Sequence, residues 1–509
     1  MASTSSRTVT SACTGMARPP QGRGRADPGA RRVSRVPGGR PGPRGDVAAA
    51  PAAGYPPGVG PPRAVLALLV LLPCAAPAAE IAEQAGDPAP AVPCTCSEQC
   101  AAALGHGSVC RAGTCEPYRD EYSLLDLVGL GREGEPTPPP MKLLPAVLPA
   151  IGYNPAMGLL LGVTGTLAMY LGPPSATTIS SLHMVGLVTT MRQVVFHASS
   201  AILTSENRWQ LQGDWRFLIF NQDTYGLGTG PFAMDAPASR DDFQLVRVHE
   251  NVLRRVVNGL YLGAGYRLDR FFAVQDVGMD LAAPSPVVGP NHAYSVAYGF
   301  NPHEYTVSGL TLAAQYDTRD STISPYRGVY VAAAFTANPL WLGSTRTSTM
   351  LEAQARAYVP MSADVPRNVL AFWVYYHGVT SGIAPYLALP AIGWEDFRNR
   401  TGRGYVQGRW RGTQELYGEV EWRFRITNDG VLGGVLFASV ETFAAPAFAA
   451  SGPGWSYASP RTNLLQYLRP AGGFGVRLLM NRDSRSSVTV DLAWGESFFG
   501  LWLNAGEYF

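Results

Sequence analysis

The sequence predicts an all-β fold: a transmembrane antiparallel β-barrel over residues 142–509, behind a disordered N-terminus and a short Cys-rich segment. Three observations predict it. Charged residues make up only 15% of the chain, while Gly (56), Tyr (23) and Trp (10) are plentiful; soluble domains carry about 25% charge. From Leu143 onward apolar and polar residues alternate in segments of about ten, the length that crosses a bilayer when tilted. The chain also ends on an aromatic residue, Phe509.

Residues 1–63 hold Arg, Pro, Gly and Ala with no hydrophobic period, and such a stretch is expected to be disordered. They carry a net charge of +8, which leaves the rest of the chain at about −6. The basic character is therefore confined to the tail, and no basic, aromatic-interleaved groove argues for nucleic acid. Arg63 and the apolar run Ala64–Leu72 read as a secretory signal with an Ala-x-Ala cleavage site at Ala76–Ala78, so residues 64–78 form one unit. Its distance from Met1 points to a start downstream of the first 62 residues. Residues 79–141 read as an exported linker. Clustered Cys94, Cys96, Cys100, Cys110 and Cys115 behind a signal predict a disulfide knot in an oxidising compartment. Four of them would close two bridges and leave Cys96 over, with the pairing open. There is no Cys-x2-Cys pair, so no metal is assigned. Glu133–Pro140 reads as a stiff spacer.

In the barrel region the clearest strand is Leu416–Ile426. Leu416, Val420, Trp422, Phe424 and Ile426 share one face; Tyr417, Glu419, Glu421, Arg423 and Arg425 share the other. One face suits lipid and the other a wet lumen. Trp209–Phe217, Leu260–Asp269, Leu310–Arg319 and Val488–Gly495 repeat the pattern. The count of such segments predicts about sixteen strands, with fourteen as the alternative. A soluble β-sandwich also alternates, but its strands are shorter and lack aromatic residues near their ends. The apolar stretch Leu143–Tyr170 could be a membrane helix; Pro145, Pro149, Pro155 and four glycines argue instead for the approach and first strand.

No Gly-x-Ser-x-Gly, His-Glu-x-x-His or phosphate-binding Gly-Lys-Ser/Thr loop occurs, and the seven histidines are scattered. No catalytic residue and no cofactor is assigned; an outer-membrane lipase remains only as a rival reading.

Several segments together resemble one family, the BamA/TamA-type outer-membrane proteins, also called the bacterial surface antigen family. Tyr153-Asn-Pro-Ala-Met-Gly158 is similar to its first-strand opening, and Asp223-Thr-Tyr-Gly-Leu-Gly228 to a Tyr-Gly-Ile-Gly loop. Asp317-Thr-Arg319-Asp320 with Pro325-Tyr-Arg-Gly328 resembles its mid-barrel signature. Gly402-Arg403-Gly404-Tyr405, followed by Glu419-Val-Glu421-Trp-Arg423, resembles the tip of a loop that folds into the lumen and the strand behind it. The terminal Gly506-Glu-Tyr508-Phe509 fits the same pattern, as an assembly signal on the last strand.

The resemblance implies residence in the bacterial outer membrane, with the Cys-rich segment in the periplasm. It implies as partners outer-membrane lipid, the cell's barrel-assembly machinery and a client polypeptide or lipid handled at a lateral seam. It also implies a carboxylate for Arg403, because a desolvated unpaired charge is costly. The family's Asp position is here Ser439, so Glu441 is the expected partner, with Glu419 and Glu421 as alternatives. The family's periplasmic POTRA modules have no counterpart in residues 79–141, a stretch too short for one. A passive pore or structural barrel is the other rival.

Overall fold

The computed structural model describes residues 92–104, 108–129, 140–174, 176–394, 400–482, 484–496 and 498–509. The expected tail, the signal at 64–78 and most of the Pro-rich spacer lie outside the described residues.

Alternation builds a closed antiparallel barrel of sixteen strands. The first eight are β1 (Leu144–Asn154), β2 (Gly158–Met169), β3 (Ser180–Thr189), β4 (Val194–Leu203), β5 (Trp209–Thr224), β6 (Ser239–Val257), β7 (Leu260–Val277) and β8 (Tyr305–Asp317). The second eight are β9 (Gly328–Asn338), β10 (Ser348–Pro360), β11 (Val369–Gly382), β12 (Gln414–Arg425), β13 (Leu432–Ala444), β14 (Arg469–Asn481), β15 (Ser486–Gly495) and β16 (Phe498–Ala505). The stretch Leu143–Tyr170 is thus a hairpin, β1 and β2, and among the described residues no helix is long and apolar enough to cross a membrane.

Period two sorts the side chains. Val147, Leu161, Val163, Phe196, Leu312, Val374, Trp422, Phe474 and Trp494 are exposed on the outer wall. Tyr417, Glu419, Glu421, Arg423, Arg477 and Asp491 are buried on the inner one. An apolar outside around a charged inside is the arrangement hydrocarbon requires of a barrel wall.

The connections differ at the two ends. At one end lie the loops 225–238, 278–304, 383–413 and 445–468; at the other, mostly short turns such as 361–368, 426–431 and 482–485. Neighbouring strands are registered over eight to sixteen residues, with one exception: β16 meets β1 in the single pair Leu503–Tyr153.

The segment expected as a linker contains a folded module. An α-helix, Ser97–Leu104, precedes a hairpin of Ser108–Arg111 with Thr114–Pro117, and a capped helical turn follows at Leu124–Leu127. Disulfides join Cys94 to Cys110 and Cys100 to Cys115, and Cys96 is a free thiol. The module docks on the short-turn end. Ser97 Oγ donates to Asp364 (2.7 Å), the Tyr122 amide donates to the Asp429 carbonyl (3.0 Å), and Asp120 pairs with Arg367 (3.2 Å). Val109 and Tyr118 join a buried cluster with Tyr326, Tyr358, Trp373 and Phe509. Burial raises the Asp120 carboxyl above its ordinary range although Arg367 opposes it. Burial, with Asp120 adding to it, pushes the Tyr118 hydroxyl up to about 12.

Candidate functional site

Loop 383–413, between β11 and β12, turns into the lumen. Its descending arm packs Tyr386, Leu387 and Leu389 into an aromatic cluster with Phe271, Tyr294 and Tyr305. The two arms are tied by the Ile392 amide to the Trp410 carbonyl and the Gly408 amide to the Ile392 carbonyl, both 3.0 Å. At the tip Gly404 has φ +96°, and a Cβ there would stand 2.6 Å from Ala471 Cβ and 3.1 Å from the Trp494 carbonyl oxygen. Only glycine fits so close an approach. Gly402 serves otherwise, in the 3-10 turn Arg400–Gly402. Tyr405 donates from its hydroxyl to the Pro470 carbonyl (2.8 Å) and packs edge-on against Trp410.

The tip places Arg403 wholly inside the wall, with no exposed surface. Its guanidinium donates to Glu419, to Glu421 and, at 3.0 Å, to Asp491. It is sandwiched between the rings of Phe437 (3.8 Å) and Tyr508 (4.0 Å). The pairs continue: Arg423 bonds Glu421 (2.7 Å) and lies 4.0 Å from Glu507, while Arg477 bonds Glu507 (2.8 Å) and Asp491. Arg403, Glu421, Arg423, Glu507, Arg477 and Asp491 therefore form a closed ring of alternating charge. With side chains this deeply buried, each ion is tolerable because both its neighbours are of opposite sign.

Glu441 is not among the Arg403 contacts, which corrects the expected ranking. The register explains it. Ser439 lies opposite Glu419 and Phe437 opposite Glu421, while Glu441 lies opposite Tyr417, one inward position farther toward the long loops. Arg403 lies against Phe437 and bonds the glutamates of that level and the one above, so the two alternatives hold it.

The terminal aromatics also depart from expectation. Gly506, at φ +82°, ends β16 and turns the chain inward, so Tyr508 and Phe509 are buried in the lumen rather than carried on the strand. Arg423 donates to the Phe509 carbonyl (2.8 Å), Asn504 donates to the Tyr508 hydroxyl (2.7 Å), and the Phe509 ring lies 5.3 Å from Trp373. The Arg cluster draws the acidic tail in.

The mid-barrel motif contributes no member to this ring, although its Tyr326 shares the buried cluster of Tyr358 and Phe509. It shapes the turn from β8 to β9 at the short-turn end. Arg319 grips Asp317 with two hydrogen bonds (2.7 and 2.9 Å) and covers Tyr330. Asp320 accepts from the amides of Tyr326 and Arg327 and pairs with Arg485 at 2.7 Å. Pro325 lies in the same turn, and Gly328, at φ +108°, leaves it.

No family model matches the sequence, and no curated protein does. Solved structures do resemble it. One is BamA from Haemophilus ducreyi lacking POTRA domains 1–3, at 12% identity and a TM-score of 0.44, covering 71% of this chain and 69% of that one. Another is CdiB from Acinetobacter baumannii, at 11% and 0.41, covering 72% and 58%. The chain thus spans under two thirds of the CdiB structure. The likeness is one of architecture alone.

Asp491, Arg477 and Glu507 were not singled out from sequence. The first was within reach: Thr489, Asp491 and Ala493 form the inward face of the alternating segment Val488–Gly495. In the other half of the barrel a cavity of about 410 Å³ is lined by Asp214, Arg247, Asp269, Glu352 and His377, among others. Arg247 pairs with Asp269 at 2.6 Å, so this wall too is charge-balanced.

Proposed function

We propose that this chain is an integral outer-membrane barrel of the BamA/TamA type that handles a polypeptide or lipid client at the seam between β1 and β16. One observation carries the reading. The ladder between these strands is reduced to the pair Leu503–Tyr153, where all others run over at least eight residues. A strand edge with unpaired amides and carbonyls is a template for another strand, and inside a bilayer those groups need a partner. The Arg403 ring supports the reading. It joins β12, β14 and β15 to the loop tip and the C-terminal tail, bracing one side of the seam while leaving β1 outside the network.

A structural barrel is the second reading, favoured by a lumen filled from both ends by loop 383–413 and the Cys module. Insertion assays separate the two. Purified barrel in liposomes should accelerate the membrane insertion of an unfolded outer-membrane protein relative to empty liposomes. Equal rates, with the barrel shown to be folded, would support the structural reading.

A further inference from the structure

At the rim bearing the long loops, β6 and β7 run past the apolar band. Their outward residues there are Arg240, Asp242, Gln275 and Val277, only the last of them aliphatic. On the inner side Asp241 stands directly opposite Asp276 in the ladder. Like charges facing each other across two strands repel. Asp241 has no exposed surface, neither of its carboxylate oxygens has a hydrogen-bond partner, and Asp276 Oδ1 is equally unpartnered. Arg411, the cation whose charge acts on Asp241, makes no hydrogen bond to it: its Nη atoms donate to the carbonyls of Tyr386 (3.0 Å) and Leu389 (3.2 Å) and to Gln222 Oε1 (2.8 Å). Tyr305 turns its hydroxyl to Asn291 Oδ1 (3.4 Å) and the Leu387 amide (3.1 Å). The helix Pro290–Tyr298 begins beside Asp276, since a Cβ on its cap Gly289 would lie 2.7 Å from Asp276 Oδ1. Its positive end offsets part of the Asp276 charge, while Asp241 has only the field of Arg411, with no hydrogen bond, to set against burial and the like charge of Asp276.

We propose that Asp241 and Asp276 bind a divalent cation of the calcium kind, which clamps the tips of β6 and β7 under the loop 278–304. Two buried carboxylates presenting oxygen atoms suit a hard cation, and calcium takes further oxygens from water or backbone carbonyls at variable geometry. With two protein carboxylates the affinity belongs in the range of extracellular sites, about 10⁻⁴–10⁻³ M. Ion binding to the folded state alone raises its unfolding temperature.

The test uses the full chain in detergent after treatment with a chelator. Millimolar calcium should raise the unfolding temperature of the wild type by a few degrees and leave Asp241→Asn/Asp276→Asn unmoved. A terbium luminescence titration of the wild type gives a second measurement that needs no variant: terbium should bind and calcium should displace it. The proposal is overturned by a wild type indifferent to calcium and terbium. An equal calcium shift in the double variant also overturns it. So does a double variant more stable than a calcium-indifferent wild type, which would mean the two carboxyls share a proton instead.

Discussion

Arg403→Ala is the sharpest perturbation of the lumen ring. Three carboxylates, Glu419, Glu421 and Asp491, contact this one guanidinium. The ring and its immediate partner Glu419 hold three guanidiniums against four carboxylates, so the variant leaves two against four, every one with a side chain no more than 6% exposed. Removing one partner of a buried pair costs about 3–5 kcal/mol, most of it from the charges left behind. The loop tip is anchored mainly through this residue, so the loss should show first as detachment of loop 383–413 rather than as barrel unfolding. At about 1.4 kcal/mol per tenfold, the open population should rise by about two to three and a half orders of magnitude. Trypsin cleavage after Arg409 or Arg411, buried or half-buried in the native loop, reads this directly. In a double-mutant cycle Arg403→Ala with Glu421→Gln should cost less than the sum of the two, by about 0.5–3 kcal/mol. A cleavage rate equal to wild type, or strict additivity, would refute the ring as the anchor.

Further outcomes follow from the same contacts. Gly404→Ala should destabilise the loop by about 1–3 kcal/mol from its φ alone, with the 2.6 Å approach to Ala471 adding to it; the same trypsin assay checks it. Phe509→Ala should lower barrel stability by about 3–5 kcal/mol, as for other buried rings, measured as the midpoint of heat-dependent gel migration. A fall comparable to that of an exposed outer-wall substitution would contradict the inward tail. Reduction of Cys94–Cys110 and Cys100–Cys115, with separations of 16 and 15 residues, removes about 3 kcal/mol of constraint each. The module should loosen, and planar-bilayer current should rise on adding a dithiol. Unchanged current with every thiol accessible to labelling would mean the module does not seal that end.

The barrel was legible because its signal is local. In β12, Leu416 to Arg425 declare their two faces from spacing alone, and the loop tip at Gly402–Tyr405 is a compact motif. What escaped depends on position along the strand axis, which spacing does not encode. Glu441 and Glu419 face the same lumen, and only the register between β12 and β13 shows which of them Arg403 meets. Glu507 enters the ring because Gly506 turns the chain, whereas the alternation of β16 suggests a tail that continues straight. The Cys module reads as a linker because its holdfasts, Asp364, Arg367, Asp429 and Arg482 (which donates to the Glu121 carbonyl, 2.9 Å), lie in turns hundreds of residues away.

The seam itself is tested by a crosslink. Tyr153 and Leu503 are directly paired, and cysteines at such positions are close enough to bridge. Client insertion should be measured with Tyr153→Cys/Leu503→Cys in liposomes, oxidised and then reduced, beside wild type given the same reductant to account for the native disulfides. Opening at β1 and β16 predicts insertion abolished in the oxidised pair and restored on reduction to the wild-type rate. Insertion that proceeds equally with the seam locked would contradict it.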